Sequence, residues 1–281
     1  MNRLSTQKQT EILRAMVEGC SIRSIERLTG HHRDSCIRVL NKAGKQAKMV
    51  MDTLMTGIKA EEVQVDELWT FVGKKDSHLT PQEQAVGLYG SQFIFVAIDS
   101  KTKLVPLFTM GQRTYEKTFQ FMQELRRRIA GYTFITTDGM PAYDQAVGMA
   151  FRGTASHAQL VKVYMHNGYP RVEGYSPVDF VLTKPRVMLG NFYNKPISTS
   201  HVERQNLTMR MSMRRLTRLT NGFSKKFDNL MDALYLHFAH YNFCRIHKSL
   251  RVTPAMAAGI TDHIWSIEEI LNFSVEEKAC A

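Results

Sequence analysis

The stretch 114–139, TYEKTFQFMQELRRRIAGYTFITTDG, changes its hydrophobic period partway, and that change decides the fold. In its first part Phe119, Met122, Leu125 and Ile129 recur every three or four residues, the stripe of an amphipathic helix. Thr114 stands where a helix cap is needed and Gly131 where the helix must stop. Past the glycine, YTFITT is a short run of strand-forming residues, ended at once by Asp138 and Gly139. A helix therefore feeds a strand that terminates in a carboxylate.

Working toward the N-terminus, three more strand-like runs appear: VQVDELWTFVG (63–73), FIFVAIDS (93–100) and KLVPLFTM (103–110). They read as an antiparallel meander, with DSKTK (99–103) turning between the second and third. A short helix is expected from Pro141. Three strands, a helix, then a strand ending in Asp is the order of a ribonuclease-H-like α/β fold: a mixed sheet with flanking helices. Residues 167–199 are punctuated by Gly168, Pro170, Gly174, Pro177, Pro185, Gly190 and Pro196, and read as an extended insertion or long loop. From Phe223 onward an amphipathic helix or helix pair is expected, followed by short helical segments.

Ahead of the first strand the period is helical. Ile12, Leu13, Met16 and Val17 share a face that stops at Gly19, and Ser21 caps a second helix striped by Ile22, Ile25 and Leu28. A short TGHH turn leads to a third helix, with Ile37 and Leu40 inward and Arg33 and Arg38 outward. This is a helix-turn-helix pattern whose third helix is placed to enter a DNA major groove; a plain three-helix cap is the bland alternative. The expected domains are 1–50 (helix-turn-helix), 60–222 (ribonuclease-H-like, with the insertion at about 167–199) and 223–281 (C-terminal helical segment).

Bulk properties narrow the function. At 43% hydrophobic and 22% charged residues the chain is an ordinary globular one. A net charge of +11 favours an anionic partner, nucleic acid first. No apolar run approaches the ~18 residues of a membrane span, so no membrane partner is expected. The opening MNRLSTQKQT lacks a secretory apolar segment, and the four cysteines form no CxxC pair, which disfavours structural zinc and disulfides. A cytoplasmic, nucleoid-associated protein is the expectation.

Asp66, mid-strand, and Asp138, at a strand end, are the informative acids, because such carboxylates are costly unless paired or bound to a cation. In this topology their strands are neighbours, so the two would stand side by side, a pairing that divalent metal relieves. Phosphoryl transfer uses two ions about 3.5–4 Å apart, and Mg²⁺ suits oxygen ligands. Glu203 is the candidate third acid. At 100° per residue Glu203, Asn206, Arg210, Arg214 and Arg218 fall on one helical face, with Val202, Met209, Met213 and Leu216 about a quarter turn away. The acid would serve the metal and the arginines a phosphate backbone; a solvated basic helix whose Glu203 complements the dipole is the alternative. Strand alternation points Glu67 to the opposite face from Asp66. Asp99 reads as a turn residue and Asp144 as a weak substitute ligand. His201 reads as a supporting hydrogen-bond partner, and Trp69 and Tyr143 as core or rim aromatics, with base stacking as the second reading.

The segments VDELWTFVG, TTDGMPAY and SHVERQNLTMRMSMRRLTRLTNGFSKK resemble those of bacterial insertion-sequence transposases of the IS-one type, members of the DDE transposase and integrase superfamily. YNFCRIHKSLRVTPAMAAGI resembles a C-terminal segment of integrase-like transposases. The resemblance spans most of 63–260. It implies a catalytic and metal-binding triad of Asp66, Asp138 and Glu203, two Mg²⁺ or Mn²⁺ ions, and cleavage and strand transfer at the ends of an element. It also implies double-stranded DNA as partner and a homodimer or higher oligomer on that DNA. Arg33, Arg38, Arg204, Arg210, Arg214, Arg215, Arg218, Lys225 and Lys226 are the expected DNA contacts. The cysteine-rich zinc segment that often precedes the helix-turn-helix in such relatives is missing. A ribonuclease-H-like nuclease or resolvase without strand transfer, and a non-catalytic DNA-binding regulator, are the competing readings.

Overall fold

The computed structural model describes residues 4–166, 169–170 and 179–274. Helices α1 (Thr6–Val17), α2 (Ile22–Thr29) and α3 (Arg33–Leu54) come first. Strand β1 (Glu62–Val72), helix α4 (Pro81–Val86) and strands β2 (Gly90–Asp99) and β3 (Leu107–Gly111) follow. Then come α5 (Tyr115–Arg128), β4 (Thr133–Thr137), α6 (Ala142–Phe151), β5 (Ala155–His166), the two-residue β6 (Tyr169–Pro170) and β7 (Asp179–Leu189). The chain continues through α7 (Ser200–Ser212), α8 (Phe227–Ala239), α9 (Pro254–Ala257) and α10 (Ile267–Asn272).

The sheet runs β3-β2-β1-β4-β5, antiparallel across the first three strands and parallel across β1, β4 and β5. That order, with helices against it, is the ribonuclease-H-like α/β arrangement. The parallel step from β3 to β4 needs a crossover, and α5 supplies it. Thr114 caps α5 by accepting the Lys117 N–H at 3.2 Å, and Phe121, Met122 and Leu125 bury its inner face. Phe121 meets Phe95 of β2 at a ring distance of 5.7 Å. The expected Phe119 is only partly buried, because the neighbouring turn of the stripe passes through Thr118 and Phe121.

Four expectations change. The third strand begins at Leu107, since Pro106 has no N–H to give a ladder. Leu28 is 72% exposed, so Ile25 alone anchors α2 fully in the core. Part of the expected insertion, 167–168 and 171–178, lies outside the described residues, but 179–189 is a strand and not a loop. Its Pro185 sits opposite Leu160 and is tolerated because, among the described residues, β7 pairs with β5 alone. Finally, the basic helix ends at Ser212 and is followed by a 3₁₀ turn at Arg214–Leu216. Arg214 and Arg218 therefore do not continue the face that carries Glu203.

Helix α3 runs past residue 50 to Leu54 and lies along α8. Farther on, Asn242 accepts the Val105 N–H at 3.0 Å and donates to the Val105 carbonyl at 2.9 Å, tying the turn after α8 to the approach of β3. Among the described residues no helix is long and apolar enough to cross a membrane.

The α3–α8 crossing is close enough that a methyl at Gly44 would meet Asp232 Cβ at 2.4 Å and Cα at 2.6 Å. Alanine gains about 1 kcal/mol in helix propensity, but overpacking against backbone costs about 1–3 kcal/mol. The clash wins: Gly44→Ala is expected to lower the melting temperature by a few degrees, at about 2–4 °C per kcal/mol. A raised melting temperature would show that the helices separate freely.

Candidate active site

β1 and β4 pair in parallel with Val63 opposite Ile135 and Gln64 opposite Thr136. Two residues further along that register, Asp66 and Asp138 stand abreast. Alternation along β1 sends Asp66 toward α7 and Glu67 toward α6, as expected. Asp138, however, sits just past the end of β4, where it is reached from both faces. Carboxylate oxygens of Asp66, Glu67 and Asp138 consequently lie within 4.8 Å of one another.

Each acid is held differently. Asp66 Oδ2 accepts the side-chain N–H of Asn206, in α7, at 2.8 Å. Asp138 accepts the Met140 backbone N–H at 3.0 Å and an Arg113 N–H at 3.3 Å. Glu67 pairs with the same Arg113 at 3.0 Å and accepts the hydroxyl of Tyr143. Burial, and after it the charge of Asp138, raises Asp66 to about 6 and Glu67 to about 7. Burial and the Glu67 charge push the Tyr143 phenol well above its usual range.

Glu203 stands just outside this cluster. It accepts Lys162 Nζ at 2.7 Å and the Thr199 hydroxyl at 2.5 Å. Its charge contributes, after burial and the charge of Asp138, to raising Asp66. Helix α7 is seated by β1 itself. Gln64 Oε1 accepts the backbone N–H groups of His201 at 2.8 Å and Val202 at 3.2 Å, supplying the N-terminal cap that Thr199 does not. The N-terminus of α7 is thus bonded to the strand that carries Asp66.

The remaining expected site residues divide by exposure. Arg33, Arg38, Arg204, Arg214, Arg218, Lys225 and Lys226 are exposed. Arg210 instead donates to the carbonyls of Leu216 and Trp69, and Arg215 donates to Ser224 Oγ at 2.7 Å. Asp99 folds back on Thr102 in its turn, and Asp144 accepts Gln159 at 2.7 Å, away from the cluster. His201 Nε2 lies 3.1 Å from Lys103 Nζ. Tyr143 is fully buried, which removes it from base stacking, and Trp69 is 44% exposed. Sequence reading missed Arg113, Lys162 and Gln64 as site residues. Arg113 carries a local signal, lying between a strand end and the Thr114 cap; Lys162 and Gln64 carry none without the register.

The donor set fits a hard divalent cation. It is all oxygen, its charges repel one another, and Asn206 Oδ1, beside Asp66, is buried with no described hydrogen-bond partner.

No family model and no curated protein matches the sequence. Among solved structures, a simian T-cell lymphotropic virus intasome in complex with PP2A regulatory subunit B56 gamma aligns over 91% of this chain and 72% of that chain. The identity is 12% and the TM-score 0.40. The Mos1 strand transfer complex aligns over 54% of this chain and 58% of that chain, at 13% identity and TM-score 0.23. A pre-cleavage Mos1 transpososome aligns over 56% and 61%, at 12% identity and TM-score 0.21. These likenesses are loose, and the fold assignment stands on strand order and register.

Two outcomes test the site. Gln64→Ala should cost about 0.5–2 kcal/mol as a lost cap and speed hydrogen exchange at the His201 and Val202 amides; unchanged exchange would mean α7 is seated by other contacts. The second concerns pH. Asp66 and Glu67 have folded values raised above their unfolded ones, so their contribution is full below about pH 4 and is lost as pH rises through about 6 to 7. His157 and His237, lowered by burial to about 4 and about 3, act in the opposite sense. The difference between wild type and Glu67→Gln isolates the acid: without metal, the variant should gain stability relative to wild type between pH 5 and 8. A pH-independent difference would contradict the shift.

Proposed function

We propose that this chain is a DDE-class DNA transposase of the IS-one insertion-sequence type, cutting DNA at the ends of an element and joining the freed 3′-hydroxyl to target DNA. The observation that carries this reading is the placement of Asp66 beside Asp138, with α7, the helix that carries Glu203, bonded to Asp66 through Asn206. In this reading Asp66, Asp138 and Glu203 hold two Mg²⁺ or Mn²⁺ ions. Such ions supply activation of an attacking oxygen and stabilisation of a leaving one.

The chain's own residues position and neutralise. Gln64 and Asn206 fix α7, the helix that carries Glu203, against β1. Lys162 and Arg113 offset the acids. Arg210 braces the end of α7 against the Trp69 and Leu216 carbonyls instead of reaching phosphate. Helices α2 and α3 act as the helix-turn-helix unit on duplex DNA through Arg33 and Arg38. Arg204, Arg214, Arg218, Lys225 and Lys226 extend the cationic surface. Two element ends brought together call for a homodimer or larger assembly.

The test is incubation of the protein with labelled element-end duplex, target DNA and Mg²⁺. Joined products are expected. Asp66→Asn, Asp138→Asn and Glu203→Gln should each reduce joining by about a thousandfold or more while DNA binding persists. Cutting without joining would favour a nuclease, and lost DNA binding in all three would make the acids structural. Neutralising Arg214 or Arg218 should flatten the salt dependence of binding by about one unit; an unchanged slope would remove that arginine from the interface.

A further inference from the structure

A cavity of about 720 Å³ opens between the N-terminal helices and the segment that follows α7, apart from the carboxylate cluster. Arg23 and Arg33 line it from one side and Arg214, Arg215 and Lys225 from the other, and no Asp or Glu lines it. Its floor is apolar, with Leu40 and Met213 buried and Ile37 partly so. The volume lies within the range of about 300–1,000 Å³ typical of small-ligand sites.

Arg215 is the informative residue. Its side chain is partly buried, and that burial lowers the guanidinium to about 10. Among the described residues it forms no salt bridge, and its only side-chain hydrogen bond goes to the neutral Ser224 hydroxyl. Asp232 is the nearest compensating charge, and it acts only at longer range. Arg23, Arg214 and Lys225 are likewise without a salt-bridge partner among the described residues. Burying a cation without a counter-charge is costly, and a guanidinium with open N–H groups is suited to a phosphate. A second cavity, of about 510 Å³, makes the contrast. There Lys48 and Arg128 pair with Asp52, and Arg127 and Arg128 with Glu124.

We propose that the cavity between α2, α3 and residues 212–225 binds a single unstacked nucleotide of a DNA strand. Its phosphate lies on Arg215 amid the other four cations, and its base rests on the apolar floor. Bases in a duplex are stacked and cannot enter such a site, so the ligand is a terminal or extruded nucleotide, a chemistry distinct from groove reading. The proposal rests on the reading that the chain handles DNA, and not on its catalysing strand transfer.

The test uses the full chain without metal and a fluorescent single-stranded pentanucleotide, alongside an abasic pentamer of equal charge. The intact oligonucleotide should bind at least about tenfold more tightly than the abasic one. The cavity-filling Ile37→Trp should abolish that preference, and Arg215→Gln should weaken binding of both pentamers, with folding checked by circular dichroism. Should Arg215→Gln fail to fold, Lys225→Glu and Ile37→Trp together carry the test. Equal affinity for both pentamers, or a preference that survives Ile37→Trp, would overturn the site and leave only a cationic surface. A preference present in a protein that joins no DNA ends would remove the transposase reading and keep the nucleotide site.

Discussion

The structure of the site depends on one buried side chain, Gln64, accepting the first free N–H groups of α7. A helix start laid against a sheet leaves donors that water cannot reach, and leaving one unmet costs about 1–3 kcal/mol. Two residues along β1, on the same face, Asp66 accepts Asn206. Two strand residues advance about 6.6 Å, and the four to five helical residues from His201 or Val202 to Asn206 advance about 6–7.5 Å. The two spacings agree, so both bonds form together, and Glu203 is carried to a defined place between them.

The electrostatics follow from that geometry. Asp66, Glu67, Asp138 and Glu203 face two described cations, Arg113 and Lys162, a formal deficit of two positive charges if all four acids ionise. Asp66 and Glu67 respond by holding protons to higher pH. A divalent ion supplies the same compensation without protons. The fold thus gathers more negative charge than its own side chains offset when all four acids ionise, a donor set suited to a hard metal.

Much of this was legible in the sequence, where periodicity changes and single acids mark strand ends. The meander, α5 and the Asp138 terminus follow from local pattern, because each is bounded by a cap or a glycine. What was not legible depends on registry between distant segments. Gln64 reads as an ordinary polar strand residue until α7 is laid on it. Lys162 belongs to a strand whose partner, β7, is disguised by Pro185 and by neighbouring glycines. The end of α7 at Ser212 has no proline or glycine to announce it; Arg210 bonding to Leu216 and Trp69 shows that tertiary contacts turn the chain there. Glu67 was assigned the correct face, but its long side chain and the position of Asp138 beyond the strand end bring it into the cluster.

The central claim is that three acids far apart along the chain serve one divalent-ion centre. Anomalous diffraction from crystals soaked in Mn²⁺ tests it most directly. The account predicts manganese held by Asp66 and Asp138, with Glu203 released from Lys162 and turned toward the ion. Manganese bound to Asp66, Glu67 and Asp138 while Glu203 stays on Lys162, or no manganese at all, would contradict it.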